Sequence, residues 1–361
     1  AEDAIQLSEI EPTVFVIGEK TGKSWVSFDT LLEGSHPFDP VEVEKEDTLF
    51  IMYTSGTTGT PKGAMVTHLG ATQNALNFSK HLKTDYRDRT LISVPLFHVT
   101  GLIAELIHIV YVGGTCVLMY RYRTEDFIEL LEKEKITYIN TVPTIYIFLL
   151  NYPKRDQYDL SHLRLAVYGG SPMPVQTIRE LMDRYPHINL INNYGATEST
   201  GSCTFSTPDV AITRSNSVGR FTTSIIDGKI ADDNGNEVAI NEVGEIYIKG
   251  PTVIPKYWNN EEASISEFSD GYWKSGDMGY VDEEGYLYLL DRKKNMITRG
   301  GGNIYCVEIE NVLYNHPDIF EAAVCGVPDK VFGEEVLAAI VLKEGRTLTA
   351  EEVREFVGRK L

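Results

Sequence analysis

Eleven residues, Tyr53-Thr-Ser-Gly-Thr-Thr-Gly-Thr-Pro-Lys-Gly63, hold three glycines, five serine or threonine hydroxyls and one lysine. These types at this spacing suit a polyphosphate. Glycine lets the main chain come close, N–H groups and hydroxyls donate to anionic oxygens, and Lys62 adds a full positive charge. The common mononucleotide loop, G-x-x-x-x-G-K-[ST], needs glycine directly before its lysine. Here Pro61 precedes Lys62 and Gly63 follows it, so a Ras-like or kinase-like loop is excluded. A solvated Gly/Ser/Thr loop is the plainer alternative; the lysine and the flanking elements weigh against it.

Further candidates lie downstream. Phe97-His98 offers an imidazole that could orient a carboxylate or fill an ordinary loop position. Gly169-Gly-Ser171 is a tight turn, under a ligand or not, and G-x-S-x-G is absent, so no nucleophile elbow is expected. Asn192-Asn-Tyr-Gly-Ala-Thr-Glu198 combines an amide, an aromatic face, a glycine, a hydroxyl and a carboxylate. An adenine could stack on Tyr194 and Glu198 could hold Mg2+ against phosphates; a polar loop capping the next element is the alternative. Asp277, set between Gly276 and Gly279, could accept both ribose hydroxyls or be a turn aspartate. Arg292 has a fork suited to ribose or phosphate oxygens, or is a solvated member of Arg292-Lys-Lys294. Gly300-Gly-Gly302 is a site of close backbone approach or a flexible loop.

These residues need elements to place them. Thr48–Met52 reads as a strand before the glycine-rich turn and Ala71–Leu82 as a helix after it. From 48 to about 205, strand signals (Leu91–Pro95, Cys116–Met119, Tyr138–Val142, Leu165–Tyr168, Ile188–Ile191) alternate with helices (Thr124–Lys135, Val175–Tyr185). Such alternation predicts a mostly parallel sheet with helices on its faces, whose ligands gather beyond the C-terminal ends of the strands. The apolar stretch Val99–Met119 contains Glu105, His108 and Gly113-Gly114, so it reads as a helix and a buried strand, not a membrane span. From about 215, short β-runs at Ser224–Asp227, Gly244–Gly250, Gly279–Asp282 and Gly285–Leu289 predict a small antiparallel barrel or sandwich. After Arg292 a helix (Val307–Tyr314), two strands (Ala322–Val327, Val336–Leu342) and a helix (Ala350–Leu361) predict a small α+β domain. The expected fold is α/β, in three parts: a partial α/β subdomain at 1–214, a β-barrel subdomain at 215–291, and a hinge with a partial α+β domain at 292–361.

The 361 residues exceed one compact core, and 33 basic against 52 acidic side chains give a net charge of −19. Such a polyanion is a poor general binder of nucleic acid or anionic membrane. An anionic ligand such as ATP would need local donors and a metal ion. The cysteines at 116, 203, 306 and 325 have no C-x-x-C spacing, which predicts neither a zinc site nor a disulfide framework and fits a reducing cytoplasm.

The Tyr53–Gly63 string resembles the signature of the adenylate-forming superfamily: acyl-CoA synthetases, peptide-synthetase adenylation domains and luciferases. The resemblance runs from about Trp25 to Leu361. It implies that Thr54, Ser55, Gly56, Thr57, Thr58, Gly59 and Lys62 hold the pyrophosphate part of ATP, with Thr54 and Glu198 as Mg2+ ligands. Phe97-His98 matches the aromatic motif near the acyl carboxylate. Gly169, Gly170 and Ser171 match the turn beside the adenine, Asn192 and Tyr194 the adenine contacts, Asn193, Gly195 and Ala196 further ATP/AMP-binding positions, and Thr197 a phosphate contact. Asp277 and Arg292 match the ribose-binding pair, Lys294 the hinge of a rotating C-terminal domain, and Gly300, Gly301 and Gly302 the lining of the thiol tunnel. Lys256, Asn295 and Cys306 stand where Gly, Asp and Pro are commoner.

The implied activity is AMP-forming acyl-CoA synthesis with ATP, Mg2+ and CoA, in which His98, Lys62, Thr197 and Glu198 carry the chemistry. The expected partners are small molecules, with a homodimer left open. Val99–Ile109 and Thr141–Leu150 could line an acyl channel or be core, and Thr141–Leu150 looks most like fatty acyl-CoA ligases. A medium- or long-chain fatty acid is therefore expected, and an aryl or succinylbenzoate-type acid is the runner-up. Family members carry a larger N-terminal part and a late lysine in a P-x-x-x-x-G-K context, so a chain trimmed at both ends is expected. A peptide-synthetase adenylation domain and a catalytically silent nucleotide-binding fragment remain as other classes.

Overall fold

The structure, a computed structural model, describes residues 13, 15–18, 25–33, 39–54, 60–214 and 216–361. The chain forms two compact units, Ala1–Glu44 and Lys45–Leu361. In the first, strands β1 (Phe15–Val16) and β2 (Val26–Ser27) pair in parallel, and Ser27 caps a short 3-10 turn, Phe28–Leu31.

The second unit opens with a hairpin, β3 (Thr48–Thr54) and β4 (Lys62–Thr67), followed by helix α1 (His68–Leu82). This corrects the expected strand–turn–helix: the glycine-rich loop joins two antiparallel strands. The reason lies in Lys62-Gly-Ala-Met-Val-Thr67, a stretch with four of its six residues buried, which pairs with β3 before Thr67 caps the helix through Gly70 N–H.

Strand β5 (Arg89–Ile92) leads through a turn to a π-helical segment, Thr100–Ile107, that continues as α2 (His108–Val112). Then come β6 (Thr115–Leu118), α3 (Thr124–Lys133), β7 (Tyr138–Thr141), α4 (Pro143–Asn151), β8 (Leu165–Tyr168), α5 (Val175–Arg184), β9 (Asn189–Ala196) and β10 (Gly201–Phe205). After the short helix α6 (Val210–Thr213), β11 (Arg220–Phe221) completes a seven-stranded sheet of order β11-β10-β9-β8-β7-β5-β6. Strands β9, β8, β7, β5 and β6 run in parallel, so their C-terminal ends share one edge; β10 and β11 are antiparallel additions. β6 is an edge strand with Leu118 60% exposed, not the buried strand expected. Burial of Phe127, Ile128 and Leu131 on α3, Tyr146 and Leu149 on α4, and Ile178 on α5 packs one face of the sheet; Phe78 and Ile109 pack among Tyr138 and Val167.

Strands β12 (Asp227–Ala231), β13 (Gly244–Lys249), β15 (Phe268–Ser269), β16 (Tyr272–Val281) and β17 (Leu287–Arg292) form an antiparallel sheet of order β12-β13-β16-β15, with β17 also on β16. The expected barrel is corrected to an open sheet: β12 and β17 lie on opposite sides and do not pair. Ser224–Ile226 is a turn held by Thr222 O, so that β-run starts three residues late. Between β13 and β15, β14 (Tyr257–Trp258) pairs with β4, and the short helix α7 (Glu261–Ser266) follows it.

The last part is a four-stranded sheet, β18 (Ile297–Arg299), β19 (Gly302–Ile304), β20 (Ile319–Asp329) and β21 (Gly333–Leu342), in the order β19-β18-β21-β20. Helices α8 (Cys306–Tyr314) and α9 (Ala350–Gly358) accompany it, α9 opened by a Thr349/Glu352 capping box. Among the described residues no helix is long and apolar enough to cross a membrane.

Candidate active site

The hairpin β3–β4 sets Thr54 opposite Lys62 in register. Ser55, Gly56, Thr57, Thr58 and Gly59, expected to hold phosphates, lie outside the described residues. Each of the loop's two flanks meets a carboxylate, Thr54 that of Glu198 and Lys62 that of Glu267. Thr54 Oγ1 donates to Glu198 Oε1 at 3.1 Å, and Glu198, in the turn after β9, is 8% exposed. α1 steadies that turn: Asn74 donates to Ser199 O at 3.3 Å and Asn77 to Ser202 O at 3.2 Å.

Two residues that the sequence analysis passed over complete this cluster. Tyr257 Oη lies 3.1 Å from Glu198 Oε1 and 2.7 Å from Glu267 Oε2. Glu267 Oε1 pairs with Lys62 Nζ, which also sits over the Tyr257 ring at 4.7 Å from its centroid. Burial, with the Glu198 and Glu267 carboxylates adding to it, pushes the Tyr257 phenol far above its usual range, so it stays a hydroxyl donor. No motif marks Tyr257 or Glu267. The ion pair spans 205 positions, and only the docking of β14 on β4 reveals it.

The strand ends form the second part. Asn192, Asn193, Tyr194, Gly195 and Ala196 belong to β9 itself, which is longer than expected because β10 pairs with it. A methyl group on Gly169 would lie 2.0 Å from Asn193 Oδ1, and one on Gly195 would lie 1.9 Å from Gly201 O. Both glycines are therefore dictated by close approach. Gly170 follows with φ +77°, and Ser171 is exposed. Asn192 Nδ2 donates to Ser217 O at 3.1 Å and Asn193 Nδ2 to Ser202 Oγ at 2.7 Å. Thr197 is half-buried between this strand and Glu198.

Tyr194 is buried in the core of the antiparallel sheet, and its hydroxyl donates to Asp277 Oδ2 at 2.7 Å. Asp277 is not in a turn: it lies in β16, register-paired with Arg292 of β17, whose Nε is 3.4 Å from Asp277 Oδ1. Burial raises the Asp277 carboxyl above its ordinary value, opposed by the Tyr194 hydroxyl and the Arg292 charge. The structure thus brings Tyr194, Asp277 and Arg292 together.

His98 stands beyond β5 at the same sheet edge as Gly169. Its Nδ1 accepts Thr100 N–H at 3.2 Å, and desolvation lowers its pKa, so the neutral ring carries its proton on Nε2. Phe97 beside it is 84% exposed. Lys294 is exposed in the turn after β17, while its neighbour Lys293 pairs with Asp233 at 2.8 Å and Glu245 at 3.2 Å. Gly300, Gly301 and Gly302 form the tip of the β18–β19 hairpin, where Arg299 pairs with Glu335. The apolar stretches offered as a channel are core in large part: Val99, Ile103, Ile109, Ile145, Tyr146, Leu149 and Leu150 are buried.

The AMP-binding enzyme family model matches residues 3–258, and that of the AMP-binding enzyme C-terminal domain matches residues 308–361. The chain is 38% identical over 338 residues to an indoleacetate–CoA ligase of Aromatoleum aromaticum, covering 93% of this chain and 66% of that protein. It is 34% identical over 345 residues to a long-chain-fatty-acid–CoA ligase of Mycobacterium tuberculosis, covering 94% and 67%. Among solved structures, o-succinylbenzoate CoA synthetase from Bacillus subtilis superposes with TM-score 0.84 at 33% identity in complex with its acyl-adenylate intermediate, covering 93% of this chain and 68% of that one. With ATP and magnesium ion the values are 0.83, 34%, 93% and 69%. The chain spans about two thirds of the length of these relatives. The first match takes in the Thr54/Glu198 pair, Lys62 and the strand-end glycines, and by it the chain belongs to the AMP-binding enzyme family.

Proposed function

We propose that the protein is an AMP-forming acid–CoA ligase. A carboxylate oxygen attacks the α-phosphorus of ATP to give acyl-AMP and pyrophosphate. The CoA thiol then attacks the acyl carbonyl, and AMP leaves. The observation that carries this reading is the convergence of Thr54, Glu198 and Lys62 on one side and of Tyr194, Asp277 and Arg292 on the other.

Thr54 and Glu198 offer a hydroxyl and a carboxylate oxygen, hard donors suited to Mg2+. Among the described residues no group of three or more His, Cys, Asp or Glu could hold a metal, so phosphate oxygens and water would complete its shell. The ion would neutralise phosphate charge. Lys62 adds a cation on the same side. His98, whose Nδ1 accepts Thr100 N–H, would keep Nε2–H to donate to the acid's carboxylate. Asp277, already oriented by Tyr194 and Arg292, has lone pairs left for the ribose hydroxyls. Lys294 and Gly300–Gly302 serve the thioester step, after the C-terminal part turns about the hinge.

A medium- or long-chain fatty acid is the first choice of acid, supported by the similarity to a long-chain-fatty-acid ligase. A second reading, an aryl acid, is favoured by the packing of Ile145, Tyr146, Leu149 and Leu150 into the core, which leaves less of α4 to line a long channel, and by the indoleacetate and succinylbenzoate relatives. ATP–pyrophosphate exchange by the full-length protein with dodecanoate, indoleacetate and succinylbenzoate, alongside calorimetric titration with dodecanoyl- and benzoyl-AMP mimics, separates the two. Exchange with one class names the acid. Exchange with none, together with no binding of either mimic, refutes the ligase reading.

A further inference from the structure

The glycine-rich loop's lysine is already engaged by a carboxylate from a distant segment. Lys62 is 7% exposed, its Nζ is paired with Glu267 Oε1, and it lies over the Tyr257 ring. A buried ammonium on a flexible four-carbon stem is poorly placed unless something fixes it, and an unpaired one is unfavourable. Glu267 is well supported for that task. It follows α7, whose start is capped by Asn260 Oδ1 accepting Ala263 N–H at 3.0 Å. Its own main chain is held on both sides, Glu267 N–H to Ala263 O at 3.0 Å and Lys274 N–H to Glu267 O at 2.8 Å.

The second oxygen of Glu267 meets the Tyr257 hydroxyl, which also faces Glu198. A phenol has one proton, so it donates to one carboxylate at a time. Donating to Glu267, at the shorter distance, it leaves Glu198 Oε1 with the Thr54 hydroxyl and open to a cation. Donating to Glu198, it leaves Glu267 to Lys62 alone. The phosphate-side lysine and the Thr54–Glu198 pair are thereby linked through a single hydroxyl.

We propose that Glu267 is a positioning residue of the adenylation step: it holds Lys62 for the β- and γ-phosphates of ATP and, through Tyr257, couples Lys62 to Glu198. The proposal rests on the ligase reading for its kinetic test but not for its binding test. It predicts a defect confined to ligands that carry the outer phosphates. AMP, which lacks them, should bind unchanged.

The test uses the full-length protein with Glu267→Ala, Glu267→Gln and Tyr257→Phe. Calorimetric titration should show Glu267→Ala weakening MgATP by about 10-fold while AMP affinity stays within about twofold. Glu267→Gln, whose amide oxygen still accepts from the ammonium, should recover most of the loss. ATP–pyrophosphate exchange should fall with Glu267→Ala, whereas thioester formation from preformed acyl-AMP should not. Tyr257→Phe should raise the Mg2+ concentration needed for half-maximal MgATP binding. Equal weakening of MgATP and AMP, or wild-type MgATP binding by Glu267→Ala, overturns the proposal. A drop in thermal midpoint that accounts for every loss would also overturn it, because Glu267 would then be structural. If the wild type binds MgATP but exchanges with no acid, the ligase reading fails while the binding comparison still decides the role of Glu267.

Discussion

Two buried tyrosines each hold a carboxylate, and they do so differently. On the side proposed for the ribose Tyr194 donates to Asp277, and the partners come from β9 and β16, with Arg292 of β17 locked to Asp277 by strand register. On the side proposed for the phosphates Tyr257 stands between Glu198 and Glu267, and the cluster draws on the β3–β4 hairpin, the turn after β9, β14 and the residue after α7. The first site is fixed by sheet geometry and has one carboxylate against one arginine. The second is assembled from separate segments and balances two carboxylates against one lysine. In the proposed reaction the first would take a group whose shape does not change, the nucleoside, and the second one whose charge must be matched and then released, the pyrophosphate.

The largest predicted effect removes the comparison by breaking the strand that feeds both sites. Gly195→Ala puts a methyl 1.9 Å from Gly201 O, between Tyr194 and Glu198. It should lower unfolding stability by about 3 kcal/mol in urea titrations. Asp277→Ala sharpens the contrast: it should weaken AMP and the acyl-AMP mimic by about 100-fold alike in calorimetry, because charged hydrogen bonds to the ribose are lost whatever the phosphates. A ligand-dependent loss there would mean that the two sides are not separable.

A third prediction calibrates stability away from both sites. His108 is fully buried, its Nδ1–H donating to Ala104 O at 3.0 Å and its Nε2 accepting from Thr84 Oγ1 at 2.7 Å. Burial lowers its pKa from 6.5 to about 4. The folded state prefers the neutral ring, so its contribution is intact above the unfolded value and is lost as pH falls from there toward about 4. Urea unfolding should show about 2 kcal/mol lost between pH 7 and pH 5 from this residue, and a correspondingly shallower slope in His108→Gln. The smallest effect belongs to Thr54→Ala, which removes one donor from Glu198. It should cost MgATP binding about 1 kcal/mol and leave AMP untouched in the same titrations.

Motifs were legible where a single short stretch carries its own geometry. The alternation of strands and helices that builds the mostly parallel sheet was read correctly. The settings of the motifs were read less well. In sequence, Lys62 and Gly63 read with the glycine-rich turn and 64–67 as no element; pairing with β3 and β14 makes the stretch a strand. Asp277 could be a turn residue by its flanking glycines, yet it pairs with Arg292, and Gly279 pairs with Gly244 on one side and Leu289 on the other, within β16. The barrel was inferred from closely spaced β-runs, which cannot tell closure from an open sheet.

By itself the sequence determined the family, the order of the motifs, and the residue types able to meet a nucleotide: donors near a lysine, a carboxylate after a strand, a carboxylate and an arginine for ribose. Only the tertiary structure decided which of them touch. Tyr257 and Glu267 carry no local signal, because an ion pair across 205 residues depends on where two chain segments pack and not on what surrounds either of them in sequence. Glycines 169 and 195 follow the same logic in reverse: the residue type was visible, but the reason, a neighbouring strand within about 2 Å of where a side chain would begin, exists only in the folded chain.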